Sequence, residues 1–266
     1  MRQYLYKALL ILMVCLHAVS PAQAQLMQVS ELPWPVELQQ YMVSEDIPDW
    51  GYPEFRMFGW SPDGKVAWSE VRAIDGRGGT QYHFVIFDAV ADTVVWEEMD
   101  DSFDWMEDLM ADSDWMEGVS AASESMEEST VDSGWSTAWS HVGDRFETAM
   151  AQFGVALNQG VDLLSFPLAL NGDDFSAELV LVPETEADRF MDEVKSYQVL
   201  ATSRKKGKKI LAISSEVTAL RIWISGCFLS PFEDRMLVVV SREQYIFEGS
   251  EVFYHFAGCN LKVGFH

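Results

Sequence analysis

From Gly78 to Asp144 the chain carries no lysine or arginine, and within 97–132 fourteen residues are Asp or Glu. Carboxylates crowded within a Debye length of ~10 Å at 0.1 M salt repel one another. Such a block cannot form the interior of a sheet and must find solvent, a cation or a basic partner. On both sides of it the pattern changes to period two. Glu54–Trp60, Val66–Arg72, Gln81–Asp88 and Thr93–Trp96 read as strands, with turns at Ser61-Pro-Asp-Gly64 and Ala89–Asp92. Phe175–Val182, Tyr197–Ser203, Ile210–Ser214, Leu220–Leu229, Met236–Arg242 and Glu251–Ala257 read the same way. In between, Val142, Phe146, Met150, Phe153 and Leu157 recur at helical spacing, with Gly160 as the expected stop. The pattern predicts an α+β fold, mainly antiparallel β meanders with a helical acidic insertion.

The first residues supply a compartment. Arg2 and Lys7 precede an apolar run, and Ala22-Gln-Ala24 places small residues where a signal peptidase reads. A secretory signal peptide over 1–24, cut after Ala24, implies a periplasmic or secreted location. No later segment is long and apolar enough to span a bilayer. Cleavage removes two bases and no acid, taking the net charge from −24 to −26. That charge opposes nucleic acid and anionic lipid as partners. The expected organisation is an extended, Pro- and Trp-rich arm and β meander over 25–96, an acidic insertion over 97–165, and a C-terminal β region over 166–266.

Gly59-Trp-Ser-Pro-Asp-Gly-Lys-Val-Ala-Trp68 resembles the WD40-like repeat of TolB-type β-propellers. Tyr82-His-Phe-Val-Ile-Phe-Asp88 is similar to that repeat's inner strand, and Phe228–Val239 to a degenerate second copy without the Asp-Gly turn. The resemblance covers about a quarter of the chain. It implies blade-like meanders in an exported bacterial protein rather than a closed propeller, which needs about four or more blades. In the resembled family such modules make protein contacts or serve as appendages to hydrolases.

The tetrapeptide Asp-Trp-Met-Glu occurs at 104–107 and again at 114–117. Ten helical residues rotate about 1000°, so the copies stand roughly 80° apart. The result is an apolar ribbon edged by carboxylates, with Trp105, Met106, Leu109, Trp115 and Met116 as candidate contact residues. It suits a helix docked on the sheet with solvated acids, or a surface for a basic or aromatic protein partner. Calcium is a further option, although Asp112-x-Asp114-x-Met116 breaks the EF-hand pattern at its third ligand. The basic hairpin tip Arg204, Lys205, Lys206, Lys208 and Lys209 suits a solvated turn, an anion clamp or a dock for the acidic insertion. Two cysteines follow the signal peptide, Cys227 and Cys259, expected either as a disulfide or as two buried thiols.

Catalytic signatures are sparse. There is no Gly-x-Ser-x-Gly, no His-Glu-x-x-His and no phosphate-cradling glycine loop. His83 and His255 fall mid-strand. The expected function is a non-enzymatic binding or assembly module with a protein partner and no cofactor. A hydrolase with an unrecognised carboxylate site and a carbohydrate-binding module are the rivals. A pocket of convergent acids or histidine would favour the first rival, and a flat row of exposed tryptophans the second.

Overall fold

The computed structural model describes residues 27, 33–36, 38, 51–74, 79–102, 130–182, 194–246 and 249–266. In chain order the elements are β1 Glu54–Trp60, β2 Lys65–Ile74, β3 Gly79–Asp88, β4 Thr93–Asp101, α1 Thr130–Gln152, β5 Ala156–Leu157, β6 Leu168–Leu170, β7 Asp173–Val182, β8 Val194–Ser203, β9 Gly207–Ala219, β10 Arg221–Leu229, β11 Arg235–Ile246 and β12 Gly249–Asn260. They form three antiparallel sheets, ordered β4-β3-β2-β1-β5, β6-β7-β8-β9 and β10-β11-β12. The β-rich α+β expectation holds.

Side-chain alternation stacks these elements in four layers. On β1 to β3, one face (Phe58, Phe84, Ile86) packs with Trp135, Trp139, Val142, Phe146 and Met150 of α1. The other face (Phe55, Trp68, Val85, Phe87) packs with Phe228, Leu237, Val239, Tyr254 and Phe256 of the three-stranded sheet. That sheet turns Cys227, Met236, Val238, Val240 and Cys259 the opposite way, onto Phe175, Tyr197, Val199 and Ala201 of the four-stranded sheet. The order is α1, first sheet, central sheet (β10 to β12), second sheet (β6 to β9).

Two bulges make this possible. The register slips between Met57 and Gly59 and between Ile224 and Gly226. Each slip brings residues of opposite parity to one face, so Met57 and Trp60 share a core, as do Trp223 and Phe228. A Cβ at Gly59 would lie 2.0 Å from the Ala156 carbonyl oxygen, and one at Gly226 would lie 2.6 Å from that of Leu164. These glycines let the connection after α1 run against the edges of both sheets, where Leu164 and Cys227 exchange backbone hydrogen bonds of 2.9 Å.

Several boundaries differ from expectation. β4 continues to Asp101, so Glu97–Asp101 belong to the first sheet and not to a helical insertion. The helix ends earlier, in a Schellman-type turn: Gly154, at φ 68°, donates to Ala151, and Val155 donates to Met150. Gly160 instead presents its carbonyl to the Trp60 indole at 3.1 Å. The described part of the proline-rich arm lies against the body. Val36 donates to the Phe55 carbonyl at 2.7 Å, and Leu38 is buried in the core between first and central sheets. Arg145 holds Glu98 through a two-pronged contact and His141 meets Asp100 at 3.1 Å, fixing α1 to β4.

Of the two states expected for Cys227 and Cys259, the disulfide is absent and the buried thiols are found. Cys227 lies opposite Val238 and Cys259 opposite Met236, so β11 separates them. Two strand spacings are about 9–10 Å, beyond the 4.4–6.8 Å that a disulfide spans between Cα atoms. Burial, with Cys259 nearby, pushes the Cys227 thiol up to about 12, and burial takes Cys259 to about 11. In the chain lacking residues 1–24, a thiol reagent should label neither cysteine in the native state and both after denaturation. The helix should be structural as well: Phe146→Ala should lower unfolding free energy by about 3–5 kcal/mol, measured by chemical denaturation.

Candidate functional site

A groove of about 520 Å³ opens where the three sheets meet. Its floor is the inward face of the first sheet. Trp68, Glu70 and Arg72 alternate along β2; His83, Val85 and Phe87 alternate along β3. Period-two geometry puts each set on one face. One wall is the edge of β12, at Tyr254, His255, Phe256 and Ala257; the other is Leu211, Ala212 and Ile213 of β9. Val94 of β4 stands at the lip, opposite Phe87. Glu97 and Met99 pair with Val85 and His83, so they share that face; both are more than half exposed.

The ionisable groups of the groove have structural partners. Glu70 is buried and accepts hydrogen bonds from the Trp68 indole, at 3.2 Å, and from the Arg72 guanidinium. Arg72 also lies over the Phe253 ring, 4.6 Å from its centroid. His83 meets Glu97 at 3.2 Å. Asp92, in the turn after β3, accepts the Gly258 backbone N–H at 2.6 Å. Burial pushes its carboxyl above the usual carboxylate range, against the pull of that amide.

His255 faces the second sheet, where its Nδ1 lies 2.6 Å from the Tyr197 hydroxyl. Burial raises the Tyr197 pKa, so a protonated phenol shares this hydrogen bond with the imidazole. Burial, reinforced by the positive charge of Arg242, holds His255 below its ordinary 6.5. The arrangement is a hydrogen-bonded histidine at a sheet interface. Among the described residues no three His, Cys, Asp or Glu gather as a metal site requires.

The sequence-derived candidates are placed as follows. Trp105, Met106, Leu109, Trp115 and Met116 lie outside the described residues, as does the calcium option at 112–116. Members of the basic tip make local contacts. Arg204 pairs with Asp174 and Lys208 with Glu178. Lys206 donates to the Leu261 carbonyl at 2.6 Å, and Lys209 reaches the Asn260 and Val263 carbonyls. Lys205 donates its backbone N–H to Asp173 at 3.1 Å and lines a second cavity of about 440 Å³ among mixed charges. The groove itself was not foreseen, although the alternation Trp68, Glu70, Arg72 on a predicted strand was visible. Among the described residues no helix is long and apolar enough to cross a membrane.

No protein-family model, curated protein or solved structure matches the chain. The site is therefore read from its own chemistry.

The depressed His255 value fixes a pH dependence. Below about pH 6.5 the unfolded chain takes up this proton more readily than the folded one. The contribution is present above the unfolded pKa and is lost as pH falls through the lowered folded value. Thermal melts between pH 7.5 and 5.5 should show falling stability with acidification, and His255→Gln should flatten part of that slope.

Proposed function

We propose that this chain is an exported, soluble, non-enzymatic binding module that engages a protein partner through the groove between its sheets. One observation carries the reading: the groove has an apolar, aromatic floor, while Glu70, Asp92, His83 and His255 are each held by the fold. These contacts hold the groove's walls in place, and its aromatic floor supplies apolar contact area, which suits a binding surface. Glu97, on the groove face of β4, adds an acidic group to the groove's open side, which favours a partner with basic residues.

The hydrolase alternative has the histidine-lined pocket it called for, but lacks support from a base poised beside a nucleophile. The carbohydrate alternative rests on exposed indoles. Trp60, Trp68, Trp135, Trp139 and Trp223 are buried, and only Trp34 is strongly exposed among the described tryptophans. The blade-like reading of the meanders fits the protein-contact role that the WD40-like resemblance implies.

A photo-reactive amino acid at Val94, on the groove lip, should give a discrete crosslinked partner in the native compartment. The same group at exposed Val263, outside the groove, should not. Equal adducts at both positions, or none at 94, would remove the groove from the functional reading.

A further inference from the structure

We infer that the groove is a strand acceptor: it takes a short, extended, aliphatic segment of a partner protein as a fourth strand of the central sheet, hydrogen-bonded along β12. The inference rests on the protein-binding reading and adds its mode and the class of segment.

The layer count is the first argument. The central sheet has three strands, between neighbours of five and four. The groove lies beyond the last strand of that middle layer, floored by the first sheet and walled by β9 of the second. Its shape is that of one more strand in the middle layer, where sheets pack about 10 Å apart.

The backbone of β12 is the second argument. It pairs with β11 over Gly249–Asn260 without a register slip, so its outer edge is straight. The Gly258 N–H points away from β11, since Asp92 takes it. Antiparallel strands alternate the direction of their amides. The N–H and C=O groups of Tyr254 and Phe256 therefore face outward too, into the groove. The competing edge, β9, slips register between its partners at Val199 and Leu200, leaving Leu211 bulged; such bulges oppose edge pairing. Asp92 and the Ala89 carbonyl close the far end at Gly258, leaving 254–257 along the groove. Four residues span about 13 Å at ~3.3 Å each.

Side-chain chemistry defines the occupant. Alternate side chains of an added strand would meet Trp68, Val85 and Phe87 on one face and Leu211 and Ala212 on the other. A strand apolar on both faces reads as a continuous Val/Ile-rich run, not an alternating one. On the groove face Glu97 stands beside His83 at the open side, while Glu98 and Asp100 turn to Arg145 and His141 on the helix face. A lysine or arginine flanking the run fits that end. The occupant is a segment of about four aliphatic residues flanked by basic ones.

The test uses the chain lacking residues 1–24 and the probe acetyl-Lys-Val-Ile-Val-Val-Lys-amide. Two comparison probes accompany it, one with glutamate flanks and one methylated on alternate peptide nitrogens. The lysine-flanked probe should slow hydrogen exchange at the Tyr254 and Phe256 amides at least tenfold. The glutamate-flanked and N-methylated probes should bind at least tenfold more weakly. Protection at 211–213 instead of 254 and 256, or equal binding of the N-methylated probe, would overturn strand addition while leaving a groove ligand in place. Failure of all three probes alongside a retained Val94 crosslink would overturn the aliphatic-strand class but not protein binding. Amides at 254 and 256 that are protected without probe would also overturn it, assigning the slot to this chain if protection is independent of concentration and to a second copy if it is not.

Discussion

A sheet covered on both faces must be apolar on both, and here that demand falls on the central layer. Met236–Val240 of β11 are five consecutive residues with no exposed surface. Alternate members serve two different cores, Leu237 and Val239 against the first sheet and Met236, Val238 and Val240 against the second. Burying each such side chain is worth roughly 1.5–3 kcal/mol, so this single strand ties together elements far apart in the chain. The bulges at Gly59 and Gly226 follow from the same demand. They reset which residues face which core, and the absent Cβ atoms admit the connection that links first and second sheets.

The strands were legible because their residues alternate in a way the pleat requires. β1 was readable to the residue, and the turns at 61–64 and 89–92 announce themselves through proline, glycine and aspartate. The end of β4 was not, because Glu97, Glu98, Asp100 and Asp101 look like an insertion until Arg145 and His141 are placed beside them. Those countercharges come from a helix some forty residues on, and period two says nothing about such distant partners. The helix stop was misplaced for a related reason. Gly154 and Gly160 both carry positive φ, and only the hydrogen bonds to Ala151 and Met150 show which one ends the helix. The groove escaped sequence reading entirely, since it is made by three sheets whose stacking order no local pattern encodes.

The cysteines show how topology overrides composition. Two cysteines behind a signal-like leader invite a bridge, yet one intervening strand holds them apart, and each thiol behaves as a small apolar side chain in the core. The basic tip is similar. Five positive charges in six residues suit a solvated turn, a clamp or a dock; in the fold Arg204 and Lys208 meet β7 carboxylates, and Lys206 and Lys209 reach carbonyls of the last residues, where His266 and Lys208 exchange backbone hydrogen bonds.

The position of the central layer in the chain has a bearing on biogenesis. Residues 221–260 are synthesised after both sheets that they hold together. Until they emerge, the inner faces carrying Trp68 and Phe87 on one side and Tyr197 and Val199 on the other have nothing to close on. Folding from the N-terminus can close the helix against the first sheet, but the opposite face of that sheet stays uncovered until the final third is complete.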